Sequence, residues 1–193
     1  MKKIAACWLV VIMLLFAGVS SLTAASSPPV VGGTLPDITL PAPKDSVGKN
    51  YLDLGFFGFG TFKIPEIKAK VVIIEIFSMY CPYCQREAPN VNELYAKIEQ
   101  DPALKGKIKI IGIGAGNTSY EVGTFKNKYN VPFPLFADGD YVIHKIVGEV
   151  RTPYFIGVKL NPDGTNRVIY SKLGALGEVD DFLSTLIKLS ELQ

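Results

Sequence analysis

The sequence is short of thiols, imidazoles and net charge. Its 193 residues hold three cysteines, one histidine and one tryptophan. Three cysteines are too few to staple a scaffold that lacks a core, so disulfide bridges do not carry this fold. The single histidine, His144, leaves two thiols without the further ligands that a closed metal site needs, and no metal is expected. A formal net charge of +2 creates no basic field for nucleic acid, and no run of like charges marks a strongly acidic or basic partner surface. Internal repeats are absent too. What is present, 48% hydrophobic and 20% charged residues, suits one globular domain with short additions.

The N-terminus reads as an export signal. Lys2-Lys3 precedes an almost unbroken apolar run from Ile4 to Val19. Small residues from Ser20 to Ser26 then offer a cleavage point after Ala24 or Ala25. The alternative is an uncleaved anchor, although the run is slightly short of the roughly 20 residues a spanning helix needs. Residues 1–25 are therefore assigned to a signal or anchor, 26–34 to a Pro- and Gly-rich linker, and 35–190 to the domain. Export places the domain in the periplasm or another extracytoplasmic space. Cys7 and Trp8 belong to the signal, and Cys7 precedes most of the apolar run, which excludes a lipoprotein acceptor. Only Cys81 and Cys84 remain. Bridging so short a loop removes little entropy from the unfolded chain, so chemistry explains the pair better than stability does.

Along the domain, Asp37–Leu40 reads as a short edge strand. Tyr51–Leu54 and Thr61–Ile64 flank a Gly- and Phe-rich stretch (Gly55 to Gly60) and read as a hairpin, with Phe56, Phe57 and Phe59 as packing residues. Lys70–Phe77 is a β-branched run, as in a strand buried on both faces. Ala88, Val91, Leu94, Tyr95 and Ile98 recur at helical spacing, with Pro89 expected to kink that helix. Further elements are a strand at Lys107–Ile113, a helix at Thr118–Tyr129, a strand at Phe133–Phe136 and a helix at Tyr141–Val147. Strands Tyr154–Leu160 and Thr165–Tyr170 turn at Asn161-Pro162-Asp163-Gly164, and a helix at Glu178–Leu189 closes the chain. This order predicts an α/β fold with a central mixed sheet. Its core is parallel, its C-terminal hairpin antiparallel, helices flank it, and extra strands precede it.

The chemistry centres on Cys81-Pro82-Tyr83-Cys84, where a buried strand gives way to a helix. A cysteine in the first helical turn faces unsatisfied N–H groups and the positive end of the macrodipole, which stabilise its thiolate. Cys84, one turn on, can close a disulfide with it. Cys81 is thus the expected nucleophile and Cys84 the resolving thiol. Glu75 sits in an otherwise apolar strand. Facing inward, it would have a raised pKa and could take the proton of Cys84; facing away, it would need no role. Glu87 is either a modulator of the site or an ordinary solvated helix residue.

Together these residues resemble the thioredoxin fold, and more narrowly the TlpA/ResA-like thiol–disulfide oxidoreductases exported by bacteria. The resemblance spans Gly33 to Leu189. It rests on Leu35-Pro36-Asp37-Ile38-Thr39-Leu40, on the cysteine motif after a central strand, on Glu87 and Pro89 in the following helix, and on Thr152-Pro153 before the hairpin. It implies an enzyme with no cofactor beyond a redox-active Cys81–Cys84 disulfide, acting as a monomer on protein disulfides. It also implies a cis Pro153 against the cysteines, a Thr152 backbone that pairs with substrate, and a substrate-facing surface made with Tyr80, Pro82 and Tyr83. A reductase role follows, with apocytochrome c as one expected substrate and a membrane partner to restore the electrons. Three positions depart from the family: Tyr80 stands where Trp is usual, the strand carries an ionisable Glu75, and Pro82-Tyr83 is the dipeptide of glutaredoxins.

Two other functions share this fold. A peroxiredoxin-type peroxidase would carry Pro where Ile74 stands, and would not place a second cysteine so close. A copper-binding protein would combine Cys81, Cys84 and His144, but its cysteines are usually spaced by three residues.

Overall fold

The computed structural model describes residues 27–55 and 60–192. The expected signal at 1–25 and the three phenylalanines at 56, 57 and 59 lie outside them. The strands and α-helices among these residues are, in order, β1 (Thr39–Pro41), α1 (Ser46–Leu52), β2 (Thr61–Lys63), β3 (Val71–Phe77), α2 (Pro82–Gln100) and β4 (Ile108–Ala115); then α3 (Ser119–Lys128), β5 (Leu135–Asp138), α4 (Val142–Ile146), β6 (Tyr154–Leu160), β7 (Asn166–Leu173) and α5 (Val179–Ser190).

The main sheet has the order β5-β4-β3-β6-β7. Strands β3, β4 and β5 run parallel, while β6 and β7 form the antiparallel hairpin. β3 is central, and all seven of its residues are buried, as its β-branched composition requires. Its alternation sorts the core. Val72, Ile74 and Ile76 face a cluster with Leu40, Leu52, Phe62 and Val147. Val71, Ile73 and Phe77 face the cluster that holds Cys84, Val91, Leu94 and Phe182, on the side of α2 and α5. With a side-chain period of two, Glu75 belongs to this second face.

One expectation needs correction. No hairpin joins Tyr51–Leu54 to Thr61–Ile64. Residues Ser46–Leu52 form a helix, capped by the Asp45 carboxylate accepting from the Gly48 N–H, and β2 pairs instead with β1. The Asx-type cap and the Asp53 turn (φ 50°) outweigh the β-prone aromatic character of the segment. The stretch assigned to a linker also lies against the domain. Gly32 N donates to Val168 O and Val168 N donates to Gly33 O, which places this stretch beside β7. A Cβ on Gly148 would lie 2.4 Å from Ser27 and Pro28, so the first described residues pack closely there. Thr118 caps α3, forming a capping box with Glu121. Helix α2 runs continuously through Pro89. Among the described residues, no helix is long and apolar enough to cross a membrane.

Candidate active site

The site lies where β3 ends and α2 begins. Cys81 is the N-cap of α2 and Pro82 occupies its first turn, where a missing N–H costs nothing and a fixed φ suits the helix. Cys81 is partly exposed and Cys84 buried, and both are free thiols. The Cys81 Sγ lies 3.3 Å from the Thr152 carbonyl oxygen. Partial burial opposes ionisation of Cys81, but hydrogen bonding from the Thr152 side chain and the Cys84 and Tyr83 backbone outweighs it. The thiol therefore sits below its ordinary pKa, as expected where helix-start amides face a sulfur.

Cys84 is the opposite case. Its side chain is 0% exposed, and burial pushes its thiol far above the ordinary range. A backbone hydrogen bond at Ser78 opposes that rise, and the charge of Glu75 adds to it. Glu75 itself is 3% exposed, and its Oε1 has no hydrogen-bond partner. Burial first, then the charges of Glu87 and Cys81, push its carboxyl up to about 8. Of the two orientations open to Glu75, the chain adopts the inward one.

Across from the cysteines, the Thr152–Pro153 peptide is cis. The Arg151–Pro153 loop, Tyr83, Arg86, Glu87 and the turn after β7 surround a cleft of about 390 Å³. Glu87 is not a solvated helix residue. It is 4% exposed, and its Oε1 accepts from the Leu176 N–H at 2.8 Å, tying the turn after β7 to α2. Tyr80 and Tyr83 are 65% and 66% exposed. The Tyr80 hydroxyl donates to Glu121, and the Arg86 guanidinium lies 4.5 Å from the Tyr83 ring centroid. The His144 Nε2 lies 2.8 Å from the Val150 carbonyl oxygen. Among the described residues, no group of three His, Cys, Asp or Glu side chains is placed to hold a metal ion.

Residues not singled out from the sequence hold the approach to Cys81. Asn117 is fully buried, and its Oδ1 accepts from the Met79 N–H at 2.8 Å. The Gln85 side chain donates to the Met79 carbonyl, also at 2.8 Å. The two successive peptide groups that flank Met79, just before the cysteine, are thus each held by a side chain. A sequence signal existed for Asn117: a polar residue directly after Gly116 (φ 65°), where a buried strand ends.

The model of the AhpC/TSA family matches residues 31–165. A thiol–disulfide oxidoreductase ResA from Bacillus thuringiensis is 32% identical over 96 residues, 49% of this chain and 53% of that protein. The chain thus spans about half the length of this curated relative. A ResA from Oceanobacillus iheyensis is 23% identical over 158 residues, covering 81% of this chain and 72% of that one. Among solved structures, the thioredoxin domain of a thiol–disulfide oxidoreductase from Bacteroides vulgatus superposes with a TM-score of 0.58 at 15% identity. That match covers 83% of this chain and 98% of the domain, and it establishes a thioredoxin-like fold.

Proposed function

The chain belongs to the AhpC/TSA family, and we propose that it is an extracytoplasmic thiol–disulfide oxidoreductase that reduces protein disulfides through Cys81 and Cys84. One observation carries the reading. Two thiols a helical turn apart are driven in opposite directions, Cys81 toward the thiolate at the surface and Cys84 toward the protonated thiol in the core. An inert structural pair needs no such division.

The reaction follows from that division. The Cys81 thiolate attacks one sulfur of a substrate disulfide. The substrate S–S bond breaks, a Cys81–substrate S–S bond forms, and the second substrate sulfur leaves as a thiolate that takes up a proton. The Cys84 thiol then loses its proton to the ionised Glu75 carboxylate and attacks the Cys81 sulfur. This expels the first substrate sulfur, which is also protonated. Two electrons have passed to the substrate, and Cys81–Cys84 is left as a disulfide. A dithiol donor, expected at the membrane, restores it. Thr152, ahead of the cis Pro153, offers its backbone to the substrate, and Tyr80, Pro82 and Tyr83 face it.

The resemblance to ResA supports the reductive direction and the extracytoplasmic setting, with apocytochrome c as one substrate of the right kind. The peroxidase alternative also belongs to this family. Its reaction needs one cysteine and peroxide, whereas the division between Cys81 and Cys84 fits two-thiol exchange.

The test is the Cys84→Ser variant. It is expected to accumulate a mixed disulfide between Cys81 and a disulfide substrate, visible by non-reducing electrophoresis and mass spectrometry, while turnover stops. Peroxide consumption that stays rapid in this variant, with no mixed disulfide, would assign a peroxidase instead.

A further inference from the structure

The cleft beside the cis Thr152–Pro153 peptide carries two cations and no exposed acid. Arg86, on the second turn of α2, and Arg151, immediately before Thr152, are both exposed and both line it. Neither is paired with a carboxylate among the described residues. The cleft's one acid, Glu87, is buried, with Oε1 held by the Leu176 N–H and Oε2 3.4 Å from the Asn90 amide. Its floor is apolar: Pro153 is buried, and Leu173 is 39% exposed.

We propose that this cleft selects disulfide substrates with an acidic side chain next to the reacting cysteine, the carboxylate being held between Arg86 and Arg151. This rests on the assignment of Cys81 as the attacking thiol, because the cleft matters only for a chain whose sulfur reaches that atom. Position argues for it. Arg151 and Thr152 are consecutive, so a substrate strand pairing with the Thr152 backbone presents a neighbouring side chain to the Arg151 side of the cleft. Arg86 is preorganised by its stacking on the Tyr83 ring, so little side-chain freedom is lost when it binds. A guanidinium suits a carboxylate because its planar fork of donors fits two oxygens at once. Glu87 offsets only part of the pair's charge, and its oxygens are held by the Leu176 N–H and the Asn90 side-chain amide rather than by either guanidinium. The apolar floor around the guanidiniums lowers the local dielectric and strengthens the attraction.

The experiment compares two synthetic peptides with one intramolecular disulfide, identical except for Glu or Lys beside the attacked cysteine. Each is reduced by the full chain in its dithiol form, with insulin as a reference disulfide. The wild type is expected to reduce the Glu peptide about tenfold faster in kcat/KM, equivalent to about 1.4 kcal/mol, and the ratio should shrink as salt rises. The double variant Arg86→Gln/Arg151→Gln should bring the ratio to about one, and Arg86→Glu/Arg151→Glu should invert it, a result that loss of folding cannot imitate. Equal reduction of both peptides by a wild type active on insulin would overturn the proposal alone. Reduction of neither peptide, with insulin also untouched, would overturn the Cys81 assignment and the proposal with it.

Discussion

Glu75 stands on the same face of the central sheet as Cys84, and its charge adds to the burial that keeps the Cys84 thiol protonated. The carboxyl and the thiol compete for the same few protons in a space that solvates neither anion. Whichever is protonated, the other is the better place for the next negative charge, so the two titrate as a coupled unit. In the proposed exchange, resolution of the mixed disulfide passes that charge from Glu75 to Cys84.

Activity should therefore depend on Glu75 ionisation. With its carboxyl near 8, only about a tenth is ionised at pH 7. The rate of mixed-disulfide resolution is expected to rise with pH up to about 8 and then level. Glu75→Gln should flatten that profile and slow resolution by about a hundredfold, the lower range for losing a positioned base. Stopped-flow measurement of substrate thiol release from pH 5.5 to 9.5 checks both. An unchanged profile would remove Glu75 from the mechanism.

The same carboxyl makes stability depend on pH in a stated direction. Its folded-state pKa, about 8, lies above the ordinary 4.5, so the folded chain keeps a proton that the unfolded chain has lost. The stabilising contribution is full below pH 4.5 and is lost as pH rises through about 8, at about 1.4 kcal/mol per pH unit within that window. Urea unfolding at pH 5, 7 and 9 should show this loss in the wild type. Glu75→Gln should remove that part of the slope and be relatively more stable at pH 9.

Glu87 separates charge from scaffold. Glu87→Gln keeps an oxygen to accept from Leu176 and removes one of the charges that raise Glu75. The pH profile of resolution should move to lower pH with the fold retained. Glu87→Ala should also free the turn after β7, leaving a buried amide unpaired at a cost of about 1–3 kcal/mol. Denaturant midpoints and the kinetic profile of the two variants distinguish these effects.

Asn117 is a positioning residue. Asn117→Ala removes the acceptor for the Met79 N–H and should destabilise the reduced protein by about 1–3 kcal/mol. Because Met79 leads directly into Tyr80 and Cys81, the variant should also slow alkylation of Cys81 by iodoacetamide at pH 6.5, measured by mass spectrometry. Asn117→Asp, which retains the acceptor, should restore part of the alkylation rate.

The framework of this molecule was legible because its signals are local or periodic. The continuous β-branched run of β3, the apolar spacing in α2 and the Thr118 cap each follow from neighbouring residues, and the cysteine motif falls where strand meets helix. Residues 51–54 read as a strand from their aromatic and apolar character, while the Asp45 cap that starts a helix at Ser46 is a single side chain. The contacts of residues 32–33 are not legible because Pro and Gly suppress regular structure without preventing packing, and their bonds go to Val168, far away in sequence. At the site, strand parity left Glu75 with two orientations until the face occupied by α2 was known. Arg151 reads from the sequence as a cation beside the Thr152–Pro153 loop, either a surface charge or one that orients an acidic partner, whereas Asn117, Gln85 and Arg86 carry no such signal. Each acts through a partner that only the tertiary fold brings near.

Cys81 and Cys84 are proposed to form a reversible couple that donates electrons. Cys84 stays protonated in the dithiol and so adds little to the potential, and the proposed reductive direction rests on the resemblance to the TlpA/ResA-like oxidoreductases. Equilibration with glutathione buffers, followed by alkylation and mass analysis, gives its potential, and insulin turbidity gives its direction of use. One two-electron transition is expected, closer to the thioredoxin value of about −270 mV than to the DsbA value of about −120 mV, with insulin reduced. A potential near −120 mV with insulin left intact would contradict it.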